Sequence, residues 1–255
     1  VNLLNRIHDR LALWRGTRKP FAVLSDSLHL RKSPYVARSR EGLALQLLPG
    51  RGEWFTFYEN LVRQDYLSGL EALGPGDHVV DIGANIGAFA VLAGSKVGPR
   101  GRVFAYEPDP ATCERLRANV KLNGFESIVV VENCAVGAAA GQATFYRHAK
   151  NAYSSLMDGV DGRVHEHVES FPVPVVGIAD VIARAGAAIK LMKVDCEGSE
   201  YDLIDAMDAK SAAGIRQIAM EVHPVAGRSM DQLRARIESW GMRVTWEDLL
   251  VARRD

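Results

Sequence analysis

The densest chemistry in this sequence lies in Asp81-Ile82-Gly83-Ala84-Asn85-Ile86-Gly87, directly after the apolar pair Val79-Val80. An acid closes a short expected strand, and two glycines straddle the turn into an expected helix. Glycine lets a backbone approach a ligand closely, and a helix N-terminus presents N–H groups with no intrahelical partner. A dinucleotide fingerprint, G-x-G-x-x-G, is the first comparison, but Asn85 stands where it wants glycine. Asp81 would also repel a pyrophosphate, whereas it suits an ammonium group. The turn therefore favours a nucleoside bearing an amino acid over a dinucleotide. Its plain alternative is a tight β–α turn that binds nothing.

Further acids sit at the ends of later expected strands. Glu107 closes Ala105-Tyr106-Glu107 ahead of Pro108. A carboxylate about 20 residues beyond a glycine turn can accept both hydroxyls of a ribose. Asn133 follows the third strand, where it could meet an adenine edge or simply close a turn. Asp195 and Glu197 follow one strand, and Glu221 and His223 follow the next. The carboxyl ends of neighbouring strands in an open α/β sheet flank the ligand crevice.

The elements that must hold these residues alternate regularly from His78 onward. Strands are expected at 79–82, 102–106, 128–131, 189–194, 215–222 and 242–246, with a final one at 249–252. Helices are expected at about 88–96, 110–122, 199–207 and 230–240. Such alternation argues for a parallel sheet with helices on both faces. A β excursion at 142–146 and a polar loop at 148–170 interrupt it. Residues 59–73 carry apolar residues at helical spacing, ended by Gly74-Pro75-Gly76-Asp77. The first 51 residues are less regular: an amphipathic stretch (Leu3, Leu4, Ile7, Leu11, Trp14), then Phe21–Leu24 and Leu43–Leu48 as candidate strands. The expected division is an N-terminal extension over 1–56 and a main domain over 57–255.

Bulk properties exclude some functions. The 31 Lys and Arg residues balance 31 Asp and Glu, so no overall charge draws the chain to nucleic acid or an anionic membrane. Arg15, Arg18 and Lys19 form a local basic group, read as a solvated helix end. Three scattered cysteines without C-x-x-C spacing suggest free thiols in a reducing cytoplasm. No apolar run approaches the roughly 18 residues a spanning helix needs.

Gly76 to Gly87, with the sequence GDHVVDIGANIG, resembles the nucleotide turn of class I methyltransferases, and of the FkbM family in particular. Ala135-Val136-Gly137 and Lys193-Val-Asp-Cys-Glu-Gly-Ser-Glu200 strengthen the match, the latter being similar to a K-[IV]-D-x-E-G-x-E signature. The resemblance spans about residues 57–222. It implies a doubly wound, Rossmann-like sheet of seven mostly parallel strands with an antiparallel last strand, binding S-adenosylmethionine. Asp81, Gly83, Asn85 and Gly87 would surround the methionine part, Glu107 the ribose, and Asn133 the adenine. Asp195 would close the pocket beside the reactive methyl. Glu59, in a Tyr-Glu pair ahead of the domain, is carried as a further cofactor contact.

The sulfonium activates the methyl group, leaving alignment and desolvation to the protein. An alcohol acceptor must also lose a proton, which calls for a base or a metal. His223 is the first candidate by its unperturbed pKa of about 6.5. Glu197 and Glu221 follow, and Asp195 shapes the pocket. Asp195, Glu197 and Glu221 would also offer oxygen ligands to Mg²⁺, although their spacing does not require it. Ser154 and Ser155, in a loop resembling one of the family, are expected to face the acceptor. The expected activity is O-methylation of a sugar, glycolipid or polyketide-like small molecule, in the cytoplasm. The partners expected are that acceptor and neither nucleic acid nor a membrane span, with a homodimer left open. N-methylation and cofactor binding without catalysis are the alternatives. The Asn/Asp-Pro-Pro-aromatic motif of nitrogen-directed enzymes is absent, since Asp195-Cys-Glu-Gly198 occupies its place.

Overall fold

A computed structural model describes residues 3–148, 154–156, 167–186 and 188–254. The chain opens with helix α1 (Leu3–Gly16), strand β1 (Thr17–Arg18), helix α2 (Phe21–Ser27), strands β2 (Tyr35–Ser39) and β3 (Ala44–Leu47), and helix α3 (Glu53–Phe57). The three strands form an antiparallel sheet in the order β1-β2-β3. Phe21–Leu24 is thus helical where the sequence suggested a strand. A four-residue apolar run fits either state. Here Pro20, with φ −66° and ψ −16°, sets a helical course at the first turn. Only Val23, Asp26 and Ser27 of α2 are buried.

The helix expected over 59–73 is broken into pieces. A π-helical turn covers Tyr58–Arg63, Gln64 adopts φ 58°, and a 3-10 turn covers Asp65–Leu67. The break turns Tyr66 under the main sheet, where it is buried against Phe89 at a ring separation of 5.7 Å.

The remaining elements are β4 (His78–Ile82), α4 (Ala88–Val97), β5 (Arg102–Tyr106), α5 (Pro110–Leu122), β6 (Val129–Glu132), β7 (Ala135–Gly137), β8 (Gly141–His148) and β9 (His167–Gly177). They continue with α6 (Ile178–Ala185), β10 (Ile189–Val194), α7 (Glu200–Ala206), α8 (Ala209–Ala212), β11 (Gln217–Met220), α9 (Met230–Glu238), β12 (Arg243–Trp246) and β13 (Leu250–Arg253). The main sheet has seven strands in the order β12-β13-β11-β10-β4-β5-β6, and β13 runs antiparallel to both neighbours. From β4 the chain winds outward through β5 and β6, then returns to place β10 on the other side of β4. The crevice at that reversal is where open α/β sheets bind ligands.

Side-chain alternation assigns each sheet face its helices. Val80, Ile82, Met192 and Val194 pack against α6, α7 and α9, whereas Val79 and Leu191 pack against α4 and α5. A third cluster joins Leu45, Leu47 and Tyr58 to Ile86, Val91 and Leu92, so the N-terminal extension shares a core with α4. A small sheet, β7-β9-β8, stands beside the main one. Within it, Pro172 and Pro174 pair with β8 alone, and β7 joins β9 only from Val175 onward. Proline is tolerated where one strand edge is unpaired.

Candidate active site

The register of β4 and β10 makes Asp81 and Lys193 direct neighbours, with both side chains on one face of the sheet. Lys193 Nζ lies 3.3 Å from Asp81 Oδ1 and 3.3 Å from Asp195 Oδ2, and donates to the Gly83 carbonyl at 2.7 Å. Burial opposes the ammonium charge, but Asp195 and Asp81 outweigh it and hold the Lys193 pKa above its ordinary value. Asp81 is wholly buried and does not line the cavity. Its carboxylate meets an internal cation, where the sequence had offered it to a ligand's ammonium.

A cavity of about 540 Å³ opens at these strand ends. Its wall includes Gly83, Asn85 and Glu107, together with Glu59, Tyr66, Asp195, Glu197, Glu221 and His223. Gly83 has φ +73°, and a Cβ there would stand 1.7 Å from the Asp195 carbonyl oxygen. At Gly87, with φ +86°, a Cβ would lie 2.3 Å from Leu116 Cδ1. The backbone after β10 therefore demands glycine at 83, and the positive φ favours it at 87, whether or not a ligand is near. Asn85, between them, has φ 49°, a conformation asparagine tolerates better than most residues.

Glu107 is held through both carboxylate oxygens. Asn85 N–H donates to Oε2 at 2.8 Å, and Asp109 N–H donates to Oε1 at 2.9 Å. Burial raises its pKa to about 7 despite those two bonds. Each oxygen retains lone-pair capacity for a ligand hydroxyl. Asn133 does not line the cavity; its Nδ2 donates to the carbonyls of Glu107 and Pro108 at 2.9 and 3.0 Å. It fixes the turn that presents Glu107. The buried Asn85 Oδ1, on the cavity wall, has no hydrogen-bond partner among the described residues. An orphaned acceptor beside a hydroxyl-accepting carboxylate fits an aminoacyl nucleoside.

A second group of lining residues is acidic. Glu59, raised to about 8 by burial, feels Asp195 and Glu221 as its strongest neighbouring charges. The Tyr66 hydroxyl lies 2.9 Å from Asp195 Oδ2 and 3.1 Å from Glu221 Oε2. A phenol has one hydrogen, so it donates to one carboxylate at a time. Burial and then Asp195 raise the Glu221 pKa.

His223 lies between two glutamates. Its Nδ1 is 3.0 Å from Glu200 Oε1, and its Nε2 is 3.3 Å from Glu197 Oε2. Glu200 is fully buried and also accepts from the N–H groups of Cys196 and Gly198. Burial opposes charge on the imidazole, yet the Glu200 hydrogen bond and the Glu197 charge raise its pKa to about 10. Burial lifts Glu197 to about 8, with His223 pulling the other way. His223 is therefore protonated at neutral pH and acts as a base only as one of a pair with Glu197.

Of the two loop serines, Ser154 lines the cavity, while its Oγ accepts from His148 N–H at 3.0 Å. Ser155 is buried off the cavity and donates its hydroxyl to the Glu197 carbonyl, steadying a residue with φ 51°. Asn151, Ala152 and Tyr153 of the same loop lie outside the described residues.

Ligand atoms of Asp195, Glu197 and His223 come within 4.8 Å of one another. As a magnesium site this set fits poorly. Mg²⁺ wants oxygen ligands, and here one donor is an imidazole while the Asp195 carboxylate already faces an ammonium and a phenol. Lys193 and Glu200 were quoted from the sequence only as the ends of the K-[IV]-D-x-E-G-x-E stretch, without a role, and Tyr66 was given none. Glu200 had a legible signal, because an acid in a first helical turn commonly reaches back to free N–H groups.

Comparison with known proteins bears on the family. A model of the methyltransferase FkbM domain matches residues 81–244. The chain is 32% identical over 219 residues to the 31-O-demethyl-FK506 methyltransferase FkbM of Streptomyces tacrolimicus, covering 76% of this chain and 83% of the relative. It is 24% identical over 208 residues to methyltransferase sdnD of Sordaria araneosa, covering 71% and 79%. A crystal structure of methyltransferase FkbM from Methylobacillus flagellatus KT aligns over 98% of this chain and 59% of that one, at 18% identity and TM-score 0.49. The chain belongs to the FkbM-domain family of S-adenosylmethionine-dependent methyltransferases.

Proposed function

We propose that this protein methylates a hydroxyl of a sugar, glycolipid or polyketide-like acceptor, with the Glu197–His223 pair taking the hydroxyl proton. The observation that carries this reading is a Glu197–His223 contact of 3.3 Å in the cavity that also holds Glu107 and the glycine turn. S-adenosylmethionine would supply an activated methyl group. Glu107 would accept the ribose hydroxyls, with Asn133 fixing its turn. The Gly83–Gly87 segment and Asn85 would take the amino-acid part. Asp195 would set negative charge against its ammonium and sulfonium, the role first given to Asp81, and Glu59, raised to about 8 among other acids, would ionise once that cation lies beside it. Asp81 would act through Lys193 by fixing the Gly83 carbonyl.

Glu200 would orient His223, so that Nε2 and Glu197 form the proton acceptor. This is the orienter–base logic of hydrolase triads applied to an alcohol proton. Ser154 would contact the acceptor, Ser155 would hold the Glu197 backbone, and Glu221, half exposed with Oε1 3.8 Å from His223 Nε2, would carry the proton outward. The S. tacrolimicus relative has an O-demethyl substrate in its name, which supports oxygen as the target atom. The test is transfer of a deuterated methyl group to a panel of hydroxylated acceptors, read by tandem mass spectrometry. A labelled methyl ether is expected. Label on nitrogen, or S-adenosylhomocysteine binding with no transfer to any acceptor, would overturn the proposal.

A further inference from the structure

The balanced charge of the whole chain conceals an uneven distribution. Residues 1–51 carry ten Lys and Arg against three Asp and Glu, which leaves 21 against 28 for the rest. Of the three acids, Asp26 is buried, where it accepts from the Tyr35 hydroxyl, and Asp9 accepts from the Tyr58 hydroxyl. Arg10, Arg15, Lys19, Lys32 and Arg38 are exposed, and no ion pair among the described residues involves them. Strand pairing sets Arg18 directly beside Arg38, extending the basic surface across the small sheet.

Large apolar side chains are exposed on the same elements. Leu11 and Trp14, three residues apart, share an outer face of α1, and Trp14 packs edge-on to Phe21 at 5.1 Å. Phe21 is 74% exposed and Leu30 72%, and Leu28, seven residues after Phe21, lies on the same side of α2. Solvent contact at this density is not the usual fate of Trp, Phe and Leu. A basic surface interleaved with Trp, Phe and Leu is the composition of a helix that lies in a lipid–water interface.

We infer that the α1–α2 face docks on an anionic lipid bilayer, its apolar side chains entering the headgroup layer and its arginines and lysines facing lipid phosphates. A second copy of the chain suits this face badly, because a two-fold contact would set its cations against themselves. A nucleic acid would satisfy the cations and leave Leu11, Leu28 and Leu30 without partners. Docking would also bring the cavity to the membrane, since His29, between Leu28 and Leu30, lines that cavity. The inference does not depend on which atom is methylated.

Flotation of the full chain with vesicles tests it without any acceptor. The chain should float with vesicles of phosphatidylglycerol and phosphatidylcholine, and stay behind with phosphatidylcholine alone. Raising the salt to about 0.5 M should release it, because screening shortens the reach of surface charge. Arg15→Glu with Lys19→Glu should weaken capture at least about fivefold per charge. Trp14→Ala with Phe21→Ala should weaken it by about tenfold or more. Both pairs should leave S-adenosylhomocysteine affinity unchanged, which separates lost docking from lost folding. Failure to float, equal capture by neutral vesicles, or capture by RNA without capture by vesicles would overturn the inference. So would self-association abolished by Phe21→Asp in a chain that ignores vesicles.

Discussion

At the residue scale, protonation decides what the acids can do. Glu107 must be ionised to accept two hydroxyls, and burial has raised its pKa to about 7. Affinity for S-adenosylhomocysteine should therefore fall as pH drops below about 7, by up to tenfold per unit, and level off above it. Glu107→Gln should cost about tenfold to a hundredfold in affinity and flatten that dependence. Calorimetry between pH 5.5 and 8.5 checks both, and an unchanged slope in the variant would remove Glu107 from the ribose. Glu197 and His223 titrate as a coupled pair, near 8 and 10. The pair accepts a proton only after losing its first, so kcat/KM should rise with pH through about 8. Glu197→Gln should lower kcat by about 10²–10⁴-fold and abolish that rise, with cofactor affinity nearly unchanged. A variant that keeps the alkaline rise would show another group taking the proton.

At the element scale, strand register assembles the site. Asp81 and Lys193 are far apart in sequence, and their pairing appears only once β10 lies beside β4. The glycine turn, the strand-end acids and the strand–helix alternation were legible because each is a local pattern. Partners were not legible where they depend on which strands adjoin. Asp81 therefore read as a ligand contact when it is half of an internal ion pair. Strand β9 was lost to its prolines, and the 58–67 segment to apolar spacing that a π turn interrupts. Lys193 is 3% exposed, so Lys193→Met would leave Asp81 buried without a counter-ion. Such a loss costs about 3–5 kcal/mol. Thermal denaturation should show it, and Asp81→Asn in the same chain should restore a good part. If Lys193→Met melts like the parent, this pair does not hold β4 and β10 together.

At the scale of the whole molecule, the question is whether the N-terminal extension is an appendage or part of the fold. Leu13, Leu45 and Leu47 share a core with Ile86, Val91 and Leu92 of the glycine turn and α4. The buried Glu53 carboxylate also accepts two N–H groups of Arg115 on α5, at 2.5 and 2.7 Å, and one from Leu48 at 2.7 Å. On the other side of that contact, Asn119 and Asn123 of the α5 segment accept from the N–H groups of Gln46 and Ala44. Cutting the chain after residue 56 would expose the outer face of α4, leave Arg115 without Glu53 and the Gln46 carbonyl, and remove the β3 partners of Asn119 and Asn123. Each fully buried Leu so removed is worth about 1.5–3 kcal/mol, and the sum over this cluster approaches the 5–15 kcal/mol that holds a typical domain together. A 57–255 fragment should therefore aggregate or melt far below the full chain, and should not bind S-adenosylhomocysteine at 25 °C. Glu53→Ala is the milder form of the same test, leaving the apolar cluster in place and breaking the bidentate pair and the Leu48 contact. It should lower stability by about 3–5 kcal/mol while the cavity still binds ligand in the folded fraction. A fragment that folds and binds normally would instead make the extension a detachable unit, and α4 would have to be stable with its outer face in water.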